Sequence, residues 1–226
     1  MTRQEITCHV DHTLLKADAT WPQIRKLIDE AAADHTASIC INSGFIAQAA
    51  GYIRENNLPV NICTVIGFPL GAMSTAAKVF EAKQAIADGA VEVDMVIAIG
   101  RLKNGEYDFV RDEIAAIKQA IGDNILKVII ETCLLTDAEK EKMCDLVCEA
   151  GADYIKTSTG FSTGGATFED IELFVRCVKG RCKVKAAGGI HSVEDMERFL
   201  ALGADRLGSS SALKLLNAQE IAKGEY

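Results

Sequence analysis

The chain has no C-x-x-C pair, no run of 18 apolar residues, no basic tract and no G-x-G-x-x-G fingerprint, and only 3 prolines in 226 residues. Each shortage excludes something. Without closely spaced cysteine pairs, the eight thiols (Cys8, Cys40, Cys63, Cys133, Cys144, Cys148, Cys177 and Cys182) are expected to be reduced, mostly core residues, not a disulfide framework or zinc site. The N-terminal stretch MTRQEITCHVDHTLL has no apolar signal core, so membrane insertion and export are not expected and a cytoplasmic location is the default. With 24 basic against 32 acidic residues the net charge is −8, which argues against a general nucleic-acid or anionic-membrane surface. Any anionic ligand must be held locally.

What is present is regular. Short β-type runs at 8–11, 38–41, 62–66, 92–96, 126–130, 154–157, 183–186 and 206–208 alternate with helix-length segments, among them 21–33, 75–86, 109–121, 138–147 and 193–202. Eight strand-then-helix units in a chain of this length predict a (β/α)8 TIM barrel, one α/β domain over residues 1–226. An open doubly wound sheet is the alternative, weakened by the missing dinucleotide fingerprint.

An internal echo sets the register. ADGAVEVD (87–94), EAGADYIK (149–156), VKGRCKVK (178–185) and ALGADRLG (201–208) each place a helix-capping glycine before a strand. The fifth residue after that glycine is Asp94, Lys156, Lys185 or Gly208, and equivalent units would bring these to one height and one face. Charges on buried parallel strands are costly. One explanation is a structural ion pair, with the second lysine reaching solvent. The other is a carboxylate and two amines converging at the C-terminal mouth of the barrel, where such folds place their chemistry.

Two amines and one carboxylate suggest imine formation. A free lysine titrates near ~10.4, so a nucleophilic amine near neutral pH needs a lowering of ~3 pH units, about 4 kcal/mol. A second ammonium ~4–6 Å away contributes ~3–4 kcal/mol of repulsion at an effective dielectric of ~20, and desolvation acts the same way. The repulsion is mutual, so this reasoning leaves open which lysine is the nucleophile.

The stretches VDHTLL (10–15), EVDMVI (92–97), YIKTSTGFSTGGAT (154–167), KVKAAGGI (183–190) and RLGSSSA (206–212) resemble the deoxyribose-phosphate aldolases over nearly the whole chain. The resemblance implies a (β/α)8 barrel and reversible, metal-free and cofactor-free cleavage of 2-deoxy-D-ribose 5-phosphate to acetaldehyde and D-glyceraldehyde 3-phosphate. It implies Lys156 as the imine-forming residue, Lys185 as the neighbouring cation, and Asp94 as the acid/base that moves protons, through a water. Asp11, at the expected end of the first strand, would keep Lys185 protonated unless it is only a cap; Cys40 and Thr159 complete the supporting set.

For the phosphate, the loops after strands 7 and 8 read AAGGI and GSSSA, which points to Gly188, Gly189, Gly208, Ser210 and Ser211 at a helix N-terminus; Gly160 is added by the resemblance. No basic side chain is required there. Cys40 falls on the expected inner face with Asn42, as a pocket wall or a core thiol. His9 and His12 sit on opposite sides of a strand, which argues against a metal pair, while His35 and His191 read as surface or loop residues. In some relatives a C-terminal tyrosine assists proton transfer, so Tyr226 is a candidate relay, with a free tail as the alternative. Ala98 departs from relatives that carry asparagine. Relatives form dimers or tetramers, so the resemblance implies a homo-oligomer. A phosphosugar isomerase or synthase on a similar barrel, and a non-catalytic phosphate-ligand binder, remain the alternatives.

Overall fold

The computed structural model describes residues 1–224. Eight parallel strands close into a barrel in sequence order: β1 (Val10–Leu14), β2 (Ser38–Ile41), β3 (Ile62–Ile66), β4 (Glu92–Val96), β5 (Ile125–Ile129), β6 (Tyr154–Lys156), β7 (Lys183–Ala187) and β8 (Arg206–Ser209). Around it lie α1 (Arg3–Thr7), α2 (Trp21–Asp34), α3 (Ile46–Glu55), α4 (Thr75–Ala87), α5 (Ile99–Lys103), α6 (Tyr107–Ile121), α7 (Asp137–Glu149), α8 (Phe168–Val178), α9 (Val193–Ala201) and α10 (Ala212–Gly224). Among the described residues no helix is long and apolar enough to cross a membrane.

Side-chain caps fix where the chain turns from loop to helix. Ser74 Oγ accepts from Ala77 N, and Thr167 Oγ1 from Asp170 N. Thr136 with Glu139, and Ser192 with Asp195, form reciprocal capping boxes that satisfy otherwise unpaired N–H groups. One further box corrects the sequence reading. Thr2 and Glu5 cap α1, which ends at Cys8, so the first strand begins at Val10 and not at residue 8.

Alternate strand residues face outward and are apolar: Val93, Met95, Leu126, Val128, Ile155, Val184 and Leu207 pack in one buried cluster with Ile114, Ile117, Phe174 and Phe199 of the helices. Burial of each such side chain is worth about 1.5–3 kcal/mol. The residues between them face the barrel axis, and there the pattern changes.

Candidate active site

In a closed barrel of tilted strands, inward side chains of alternate strands share a height. The pairing register resolves three such layers. The lowest holds Ser38, Glu92, Tyr154 and Arg206 of the even strands; the middle holds Asp11, Cys63, Lys127 and Lys185 of the odd strands; the upper holds Cys40, Asp94, Lys156 and Gly208. The expectation of a single height for Asp94, Lys156, Lys185 and Gly208 is therefore corrected. Lys185 starts one layer down and reaches up, because Lys156 pairs with Lys185 whereas Lys185 pairs with Arg206, two residues before Gly208.

The three layers enclose an ion-pair network. Asp94 Oδ2 accepts from both Lys156 Nζ and Lys185 Nζ at 2.7 Å, so these two nitrogens cannot be further apart than twice that distance. Asp94 Oδ1 meets Lys127 Nζ at 2.8 Å. Lys127 also contacts Glu92 Oε2 at 2.5 Å and Asp11 Oδ2 at 3.4 Å. Lys185 contacts Asp11 as well, and Arg206 Nη1 bridges Asp11 Oδ1 at 2.5 Å and Glu92 Oε2 at 3.0 Å. Ser38 Oγ donates to Asp11 Oδ1 at 2.7 Å.

Electrostatics follow from this geometry. Burial pushes the Asp94 carboxyl up, but Lys127, Lys156 and Lys185 outweigh it and hold the group well below the usual carboxylate range. Asp11 is likewise depressed, burial being overcome by Lys127, Lys185 and Arg206. Burial lowers Lys127 and Lys185, but Asp11 and Asp94 outweigh it and raise both above the ordinary lysine value. These two amines are fixed cations.

A cavity of about 520 Å³ opens over the upper layer. Of the charged network, Lys156 alone lines it. Thr159, Gly160, Gly188, Gly189, Gly208, Ser210 and Ser211 line it too. Gly188 and Gly189 have φ of +70° and +68°, a left-handed pair that glycine adopts without strain. A Cβ on Gly208 would meet Ala187 Cβ and Lys185 Cε at 3.1 Å, so the missing side chain makes room for the Lys185 stem. Ser209–Ser211 lead directly into α10, whose first N–H groups and dipole favour an anion.

Other expectations fare differently. Asp11 is no cap: it is the second residue of β1, within the network. Cys40 faces inward but does not border the cavity; it packs with Leu15, Cys63, Val65 and Phe68, the core-thiol alternative. His191 lines the cavity, and so does Lys16, placing basic groups at its edge. His12 Nε2 meets Glu30 Oε2 at 2.9 Å while His9 Nδ1 meets Asp205 O at 2.8 Å, so the two rings have separate partners. The Ala98 N–H donates to Glu113 Oε2 at 3.2 Å. Tyr226 lies outside the described residues.

Four residues escaped the sequence reading: Lys127, Glu92, Arg206 and Glu131. Counting five beyond Gly122 finds Lys127, and the strand period of two finds Glu92 below Asp94 and Arg206 below Gly208. Glu131 has no such signal. It is buried, holds φ of +57°, and accepts from Thr159 Oγ1 at 2.5 Å and Thr159 N at 3.2 Å, fixing the loop that follows Lys156. Donor atoms of Cys40, Cys63 and Asp94, and of Asp11, Cys63 and Glu92, lie close enough to hold a cation, but the Lys127 ammonium already stands among them, 3.2 Å from Cys63 Sγ.

A lysine-lined barrel mouth of this kind belongs to the aldolases that work through a covalent imine. Residues 6–218 match the DeoC/LacD family aldolase pattern, and the chain belongs to that family; it is a lyase. A deoxyribose-phosphate aldolase of Clostridium botulinum (strain Eklund 17B / Type B) is 56% identical over 97% of this chain and 98% of that protein. One from Streptococcus agalactiae serotype Ia is 52% identical over the whole of both. The tetrameric deoxyribose phosphate aldolase from Aeropyrum pernix superposes with a TM-score of 0.87 at 30% identity, covering 97% of this chain and 92% of the other.

Proposed function

We propose that the protein reversibly cleaves 2-deoxy-D-ribose 5-phosphate to acetaldehyde and D-glyceraldehyde 3-phosphate, with Lys156 as the imine-forming nucleophile. The observation that carries this reading is that Lys156 is the network amine bordering the cavity, while the glycine and serine loops border the same cavity at the start of α10. The relatives' shared name supplies the substrate.

Charge balance favours Lys156 as the reacting amine. Asp11, Glu92 and Asp94 supply three negative charges against four cations, Lys127, Lys156, Lys185 and Arg206. Lys127, Lys185 and Arg206 each bridge at least two carboxylates; among the described residues Lys156 meets only Asp94. Lys127, Lys185 and Arg206 alone balance the three carboxylates, which leaves Lys156 as the cation the network does not need.

The neutral amine attacks the substrate aldehyde carbon, and the carbinolamine loses water to give a protonated imine. As the C3 hydroxyl proton leaves, the C2–C3 bond breaks and its electron pair moves toward the iminium. D-Glyceraldehyde 3-phosphate departs. The remaining enamine is protonated at carbon and hydrolysed, which releases acetaldehyde and regenerates Lys156. Asp94 Oδ2, already hydrogen-bonded to that nitrogen, carries protons for these steps and reaches the C3 hydroxyl through a water; its negative charge offsets the iminium beside Lys185. Gly160, Gly188, Gly189, Gly208, Ser210 and Ser211 hold the phosphate. The A. pernix tetramer supports a homo-oligomer here as well.

Borohydride reduction in the presence of acetaldehyde is expected to leave one ethyl group on Lys156, found by peptide mass mapping. Lys156→Leu is expected to abolish both adduct and cleavage. Full turnover by that variant, or no adduct despite bound phosphosugar, would overturn the assignment in favour of an isomerase or a binding protein.

A further inference from the structure

Half of the eight cysteines gather far from the active-site cavity. Cys144 and Cys148 lie one turn apart on α7, Cys177 is in the last turn of α8, and Cys182 directly precedes β7. Cys148 Sγ and Cys182 Sγ are 3.2 Å apart. Both line a groove of about 390 Å³ with Gly151, Asp153, Gly180 and Arg181. Its other walls, Ile125, Tyr154 and Lys183, are first residues of β5, β6 and β7, which places the groove at the opposite end of the barrel from Lys156.

We propose that Cys148 and Cys182 are a reversible oxidative modification site, closed into a disulfide by exchange with a small-molecule disulfide RSSR. Cys148, the more exposed of the two, attacks one sulfur as its thiolate, forming a Cys148–SR mixed disulfide and expelling RS⁻. Cys182 then gives up its proton and attacks the Cys148 sulfur. The Cys148–Cys182 bond forms, a second RS⁻ leaves, and two protein thiols have been oxidised while RSSR has been reduced to two RSH. Burial pushes the Cys182 thiol up, and the Arg181 guanidinium beside it acts in the opposite direction.

Geometry selects this pair over the other thiols. A disulfide needs sulfurs about 2.05 Å apart, so the pair must close by about 1 Å, within reach of side-chain rotation. Cys40 and Cys63 also neighbour each other, but both are sealed inside the barrel, where an external disulfide cannot reach. Cys8 and Cys133 are exposed, and their recorded partners are Glu5 O and the hydroxyls of Ser162 and Thr163, so exchange there stops at the mixed disulfide. A soft metal ion would need a third sulfur; among the described residues the donor sets close enough to hold an ion lie inside the barrel and include neither Cys148 nor Cys182.

The test is incubation of the whole protein with oxidised glutathione, followed by mass mapping, thermal melting and turnover. A peptide pair joined through Cys148 and Cys182, lacking two hydrogens and reversed by dithiothreitol, is the expected product, with glutathione adducts at Cys8 and Cys133. The link closes a 34-residue separation and is expected to raise Tm by about 5–10 °C. Turnover stays unchanged, because the groove and the active-site cavity are at opposite ends. Cys182→Ser is expected to trap glutathione on Cys148, and Cys148→Ser to remove the link without altering turnover. Glutathione retained on Cys148 in the unmodified protein, a link from Cys148 to Cys144 or Cys177, or an unmoved Tm after complete linkage would each overturn the proposal.

Discussion

Replacing Lys185 with leucine tests the electrostatic core of the mechanism. Lys185 is fully buried and bridges Asp11 and Asp94, so its removal leaves both carboxylates short of a partner. Breaking a buried ion pair from one side costs about 3–5 kcal/mol of stability, read as a fall in the urea midpoint. The catalytic effect is separate. Lys156 and Lys185 share one oxygen of Asp94 at 2.7 Å each, and two like charges about 5 Å apart at an effective dielectric of ~20 repel by about 3 kcal/mol. Without Lys185 that Asp94 oxygen keeps only Lys156, and the loss of an interaction of that size is expected to lower kcat/KM on deoxyribose 5-phosphate by roughly 100-fold. Lys185→Arg keeps the charge and is expected to recover most of that loss. A Lys185→Leu enzyme that is folded and turns over at the original rate would refute the reasoning.

Three other outcomes are expected. Glu131→Gln replaces a carboxylate acceptor with an amide at Thr159, weakening a charge-assisted hydrogen bond worth about 1.5–3 kcal/mol; steady-state kinetics on deoxyribose 5-phosphate are expected to show kcat/KM down by at least tenfold, with the pH limbs unmoved. Gly208→Ala puts a methyl 3.1 Å from Ala187 Cβ and Lys185 Cε, and is expected to raise KM for the phosphosugar more than it lowers kcat. Asp11 and Asp94 have depressed folded-state values, so their stabilisation is complete above about pH 4–5, where the unfolded carboxyls are ionised, and is lost as the pH falls through the folded values. Urea midpoints are expected to stay level from pH 7 to about 5 and to drop below about 4.

Much of the barrel was legible because five of its eight units repeat the same punctuation. Gly89, Gly122, Gly151, Gly180 and Gly203 all have positive φ at helix ends, and five residues beyond each lies an inward position. The relative heights were not legible. They come from the stagger that closure imposes between neighbouring strands, a property of the whole sheet that no single unit encodes. The cavity-lining Lys156, Gly160, Gly188, Gly189, Gly208, Ser210 and Ser211 stand in motifs, whereas Lys127, Glu92 and Arg206 sit in strands that look ordinary until paired. Glu131 is hardest of all. A glutamate in a loop gives no hint that its backbone will turn left-handed and its carboxylate will be buried against Thr159.

The position of Asp94 is overdetermined from both sides of the sheet. Inside the barrel, three ammonium groups hold its two oxygens. Outside, a second fully buried pair grips the same strand: Lys78 Nζ donates to Val96 O at 2.8 Å and to Glu113 Oε2 at 2.9 Å, and Glu113 in turn accepts from the N–H of Ala98. Each buried pair is weak evidence for net stability, since desolvation offsets most of its Coulomb energy. Both clamp β4 at and just beyond Asp94, so they resist the displacement of about 1 Å that is enough to cost a proton-transfer step its geometry. The aldolase thus holds its carboxylate rigid from both sides of the sheet, beside the Lys156 amine that faces the cavity.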